Sequence, residues 1–84
     1  MRAIIKFANS GRGMYAAEAE AGGFVILELL EPNEPQIGDM VSHGDFSLMG
    51  EAIYRNETQH IPVRVFVQNF VGTPEQAKRQ CFLA

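Results

Sequence analysis

Eighty-four residues, 46% of them apolar and 20% charged, suit a single small globular domain over residues 1–84 and exclude collagen-like, low-complexity and disordered chains. Ten acidic against seven basic residues leave a net charge of −3, the wrong sign for a domain whose main work is gripping phosphates. The one cysteine, Cys81, forbids an intrachain disulfide, and with only two histidines a closed four-ligand zinc site lacks ligands.

The longest apolar run, residues 24–27, is far short of the roughly 20 residues that a membrane helix needs. Lys6 interrupts the only apolar stretch near the N-terminus, so no secretory leader is expected. These features predict a soluble cytoplasmic protein without a membrane partner, and the unpaired cysteine agrees.

Residues 2–8 alternate, with Ala3, Ile5 and Phe7 on one face and Arg2, Ile4 and Lys6 on the other. After the turn Asn9-Ser10-Gly11-Arg12-Gly13, residues 14–20 alternate again, Tyr15, Ala17 and Ala19 opposing Ala16, Glu18 and Glu20. Pairing the two runs sets Phe7 against Tyr15, Ile5 against Ala17 and Arg2 against Glu20, with Lys6 diagonal to Glu18. A short helix over residues 14–21, closed by Gly22-Gly23, is the rival reading, and its Gly-Arg-Gly start argues against it.

Ala21-Gly22-Gly23 suits a tight hairpin loop into a third strand over residues 24–30. Val25, Leu27 and Leu29 then face inward, leaving Phe24 and Ile26 on the outside beside Glu28. Two prolines bar residues 31–35 from any ladder. Residues 37–42 read as a turn entering a strand, with Gly38 at a bulge, and residues 46–49 carry no regular pattern.

A second hairpin joins residues 50–55 to residues 60–70 around Asn56-Glu57-Thr58-Gln59, pairing Glu51 with Arg64, Ala52 with Val63 and Tyr54 with Ile61. Pro62 confines the start of the last strand to an edge. Thr73-Pro74-Glu75-Gln76 is a capping box with proline in the first turn, which predicts a helix over residues 74–81.

About five strands in so short a chain must curl to bury their apolar faces, and closure removes open edges. Strand count, spacing and the segment Pro35-Gln36-Ile37-Gly38-Asp39-Met40-Val41 resemble small five-stranded antiparallel barrels of the OB type. The third-to-fourth-strand helix usual in that family has no counterpart here, and an SH3-like barrel is the alternative.

Catalytic patterns are thin. Ser10, Ser42 and Ser47 lack a nucleophile-elbow context, and Cys81 lies at the end of the terminal helix, where the helix dipole does not activate a thiol. His43, Asp45 and His60 are metal-ligating types on separate loops, with no spacing that demands a metal. The chain is therefore read as non-enzymatic, without cofactor or metal.

Two binding readings remain. The outward apolar residues Phe24, Ile26 and Leu30 form a patch for a protein partner or a second copy, unless the terminal helix covers it with Ala77, Cys81 and Phe82. Alternatively, Arg55, Arg64 and Phe66, with Arg12 on its Gly-Arg-Gly turn, supply charge and a stacking ring for single-stranded nucleic acid. The net charge and the expected Arg64–Glu51 pairing weigh against the second, so a protein-binding or assembly module is the first expectation.

Overall fold

The computed structural model describes residues 1–83. Along the chain run β1 (Arg2–Asn9), β2 (Met14–Ala19), β3 (Phe24–Leu29), β4 (Met40–Ser42), β5 (Gly50–Asn56), β6 (Ile61–Val71) and α1 (Pro74–Gln80). The strands hydrogen-bond in the order β1-β2-β3-β6-β5-β4, every pair antiparallel, and β4 returns to β1 to close a barrel. The expected mainly β barrel with a terminal helix is thus present, with six strands in place of five. The additional strand is the Gly-Asp entry segment, which forms β4 between β1 and β5.

Residues 14–19 are strand, as the alternation predicts, and Ile5 pairs with Ala17. Beyond Ile5 the register slips by one, leaving Lys6 without a partner and pairing Phe7 with Ala16 and Ala8 with Tyr15. This bulge corrects the expected Phe7–Tyr15 pair: it reverses which face follows, so Phe7 turns outward and Ala8 packs toward the barrel interior. The exterior charge pairing is as expected, with Arg2 at 3.4 Å from Glu20 and Lys6 at 3.9 Å from Glu18.

A second slip occurs where β6 meets β3, between Leu27↔Val67 and Ile26↔Asn69. Gln68 is the extra residue, and Phe70 consequently lies opposite the inward-facing Val25.

The β5–β6 hairpin differs from expectation by two residues: Tyr54 pairs with Val63, Ile53 with Arg64 and Asn56 with Ile61. Asn56 is the reason. It is fully buried and ends the strand pairing instead of entering the loop, and its Oδ1 accepts the Gln59 N–H at 3.0 Å to shape the turn. A shift of two preserves the face of every side chain, so Glu51 and Arg64 still meet, diagonally, at 3.3 Å. Residues 61–63 have no β3 partner, in keeping with Pro62 at an edge.

Gly38 lies in a turn before β4, not in a strand bulge, and its φ of 95° is left-handed backbone that favours glycine. Its N–H donates to the Ile5 carbonyl at 2.8 Å while the Ile5 N–H donates to the Asp39 carbonyl at 2.9 Å. The next side chain, Asp39, is buried and accepts from the Gln36 N–H, Asn56 Nδ2 and Gln59 Nε2 at 2.9, 2.9 and 2.7 Å. One carboxylate therefore ties the proline-rich segment, the entry to β4 and the β5–β6 turn together. Tyr15 adds a further tie, donating its hydroxyl to Glu34 at 2.7 Å.

Two apolar clusters result. Inside the barrel lie Ile5, Tyr15, Val25, Leu27, Val41, Phe46, Tyr54, Val63, Val65 and Val67. Outside it, α1 sets Ala77 and Cys81 over Met14, Ala16, Phe24 and Ile26, with Phe7 and Val71 at the margin. The helix has the predicted cap: Thr73 accepts the Gln76 N–H at 3.2 Å and Gln76 Oε1 accepts the Thr73 N–H at 3.1 Å. A helix of seven residues is far too short to persist alone, so this apolar contact is what holds it.

Candidate binding surfaces

The structure corrects the expected third-strand patch. Phe24 is 4% exposed and Ile26 not at all, because α1 lies over them, and Leu30 is left alone at 36%. Phe82 takes no part in that cover. Its φ of 60° turns it away from the helix and it is exposed, with the Arg12 guanidinium 4.6 Å above its ring.

Arg55, Arg64 and Phe66 do share the outer face of β5 and β6. Both arginines are engaged, Arg55 with Glu57 at 3.1 Å and Arg64 with Glu51 at 3.3 Å. Phe66 is 37% exposed, but its cross-strand partners are Glu28 on one side and Glu51 on the other. This surface carries alternating signs, not a basic track, and Arg12 is occupied elsewhere over Phe82.

His43 and Asp45 lie together in the β4–β5 connection, where the Asp45 N–H donates to His43 Nδ1 at 3.0 Å. His60 sits in the β5–β6 turn with a φ of 59°. Among the described residues, no group of three His, Cys, Asp or Glu side chains is placed to hold a metal ion. The Cys81 thiol is buried among apolar side chains, and that burial pushes its pKa up to about 11, the opposite of an activated nucleophile.

The most concave apolar surface lies at one mouth of the barrel, a groove of about 470 Å³ between Phe46 and Phe70. Its walls come from four separate segments: Met1 and Arg2 at the start of β1, residues 19–22 of the β2–β3 turn, residues 45–47 of the β4–β5 connection, and the end of β6. Phe46 drops from its loop into the barrel interior and stacks on Tyr54, ring centres 5.7 Å apart, while His43 stacks on the same tyrosine at 4.6 Å. Phe70 faces the interior side by virtue of the β6 bulge, yet is 40% exposed because nothing fills the mouth above it.

Polar groups are confined to the rim. Arg2 and Glu20 pair with each other, and Asp45 Oδ1 accepts from the Ser47 N–H and hydroxyl at 2.9 and 2.6 Å. Those two bonds hold the Asp45 carboxyl below the usual range, against a smaller opposing effect of desolvation and with a further lowering by His43. The Tyr54 hydroxyl is buried without a hydrogen-bond partner. Burial, and secondly the Asp45 charge, push its pKa up, so it stays protonated.

The sequence signals for this groove are weak. Phe46 stands in a stretch without pattern, and Phe70 has the phase of an outer residue unless the bulge at Gln68 is known. No helix of the described residues is long and apolar enough to cross a membrane. No protein-family model matches the chain, and neither does any curated protein or any solved structure.

Proposed function

We propose that this chain is a small non-catalytic binding module that recognises a protein partner by receiving an apolar side chain in the groove between Phe46 and Phe70. The observation that carries the reading is Phe70: a large ring on the interior side of a closed barrel, left 40% exposed at an unfilled mouth. A volume of about 470 Å³ falls within the range of side-chain and small-ligand sites, roughly 300–1,000 Å³. The polar rim of Arg2, Glu20, Asp45 and Ser47 can fix the partner's backbone around the anchor.

The test is selection of binders from a random peptide library, repeated on Ala21→Trp. Residue 21 is on the exposed rim, so its indole fills the groove without entering the core. Peptides sharing one apolar anchor, displaced by Ala21→Trp, are the expected result. Binders indifferent to that substitution would place the partner elsewhere.

The alternative is single-stranded nucleic acid on the outer face of β5 and β6, with Phe66 stacking and Arg55, Arg64 and Arg12 meeting phosphates. The exposure of Phe66 favours it; the flanking Glu28 and Glu51 oppose it. It requires oligonucleotide binding that falls steeply with salt and disappears in Arg55→Glu/Arg64→Glu.

A further inference from the structure

The barrel is closed, but one seam of it is incomplete. β5 pairs with β6 through all seven residues, while β4 reaches only Arg55 and Asn56. The chain leaves the ladder after Ser42, and residues 43–49 send Phe46 into the interior without a backbone hydrogen bond to residues 50–54. Those five residues present a free strand edge on the side away from β6. The other incomplete seam, at residues 61–63 of β6, is blunted: Pro62 lacks a donor, and Glu31 Oε1 accepts the Arg64 N–H at 3.1 Å. The β5 edge has no proline and no covering strand, and Ile53 on it is 67% exposed.

We infer that this half-edge pairs with the same half-edge of a second copy of the chain, antiparallel about a two-fold axis at Ala52. The inference stands apart from the groove reading. Three observations choose a second copy and this register. Pairing centred on Ala52 sets Gly50 opposite Tyr54 and Glu51 opposite Ile53, using all five free residues of both chains and keeping every side chain on its own face. Centring on Ile53 requires Arg55, whose position is already paired with Ser42, and centring on Glu51 opposes two carboxylates and leaves Tyr54 unpaired. In the chosen register the two Ile53 side chains become diagonal neighbours, so the most exposed β-branched residue on the face covers its own symmetry mate.

Sedimentation velocity of the full chain across micromolar to millimolar concentration tests this, alongside Ile53→Asp and Ala52→Cys. The expected result is a monomer–dimer equilibrium, weakened at least about tenfold by Ile53→Asp, which faces Glu51 across the pair. Circular dichroism of Ile53→Asp should match the parent, because residue 53 is on the surface. Ala52→Cys should form a disulfide-linked dimer on mild oxidation, since directly opposed Cβ atoms lie about 4.5–5.5 Å apart. The parent, whose only thiol is buried, should not. A parent chain monomeric at millimolar concentration overturns the inference. So does a dimer that Ile53→Asp leaves intact, or one that Ala52→Cys fails to cross-link.

Discussion

Asp39 and Asn56 are both buried, and the Asn56 side-chain amide donates to the Asp39 carboxylate over 2.9 Å. Seventeen positions apart, they join the turn before β4 to the last pair of the β5–β6 hairpin. A buried carboxylate is tolerable only while its oxygens are supplied with donors, and Asn56, Gln59 and the Gln36 N–H are those donors. Asn56→Ala removes one and leaves the turn without its Oδ1 acceptor, so a loss of about 2–3 kcal/mol in unfolding free energy is expected. Urea denaturation of the variant measures it. A change below about 0.5 kcal/mol would mean that water replaces the amide and that the network is not a clamp.

The same cluster sets a pH dependence. Burial acts to raise the Asp39 pKa, but the donations from Asn56, the Gln36 backbone and Gln59 outweigh it and hold the carboxyl below its usual range. A carboxyl with a folded value below its unfolded one stabilises the fold above the unfolded value, about 4, and loses that contribution as pH falls through the folded value. Glu57, lowered chiefly by the Ser42 hydroxyl, acts in the same direction. Thermal unfolding should therefore be nearly flat from pH 7 to pH 5 and decline in acid, with a shallower decline in Asp39→Asn. Equal acid slopes for parent and variant would remove Asp39 from this account.

Phe70 rests on Gly23 so closely that a Cβ at residue 23 would come within 2.7 Å of its Cζ and 3.2 Å of the Val71 carbonyl oxygen. Gly23 also has a φ of 81°, which side-chain-bearing residues rarely adopt. Gly23→Ala is expected to cost about 1–3 kcal/mol and to displace the Phe70 ring toward the groove. Aromatic proton shifts of Phe70, together with the melting temperature, report the two effects. An unmoved ring in a destabilised variant would attribute the cost to the backbone alone.

Cys81 offers a natural probe of how firmly α1 covers β2 and β3. With the thiol pushed up to about 11 by burial, only about one molecule in a thousand carries the thiolate at pH 8, and the buried sulfur is screened as well. Labelling by a disulfide reagent should be slow in the native protein and rapid in denaturant. Ala77→Asp, which sets a carboxylate against the Phe24–Ile26 face, should speed labelling and cost about 2–4 kcal/mol. Fast labelling of the parent would mean that the helix opens readily and that the covered face is available after all.

The extent to which this fold is legible from sequence follows the range of each interaction. Alternation in residues 2–8 and 14–20, the charge pairs Arg2–Glu20 and Lys6–Glu18, and the Thr73–Gln76 cap are local patterns, and each is present in the structure. The bulges at Lys6 and Gln68 have no residue signature. They arise because the barrel must bend, and each reverses the faces beyond it, which is why Phe7 belongs to the outer cluster and Phe70 to the mouth. Asn56 reads as a turn residue by composition, yet the buried Asp39 holds it in the strand. The groove joins four segments distant in the chain, so no window of sequence contains it.

Phe46 is the one side chain that the unpatterned stretch contributes to the interior, 4% exposed and stacked on Tyr54. Its removal separates two roles, filling the barrel and fixing the β4–β5 connection. Phe46→Ala should cost about 3–5 kcal/mol through lost burial and a residual cavity, and Phe46→Leu considerably less. If the ring also anchors residues 43–49, backbone amides there should exchange faster in Phe46→Ala than in Phe46→Leu. His43 should then lose its stacking on Tyr54, which appears as a change in the tyrosine ring shifts. Uniform acceleration across the barrel would instead show that Phe46 acts only through global stability, and the connection would owe its position to the Asp45–Ser47 hydrogen bonds.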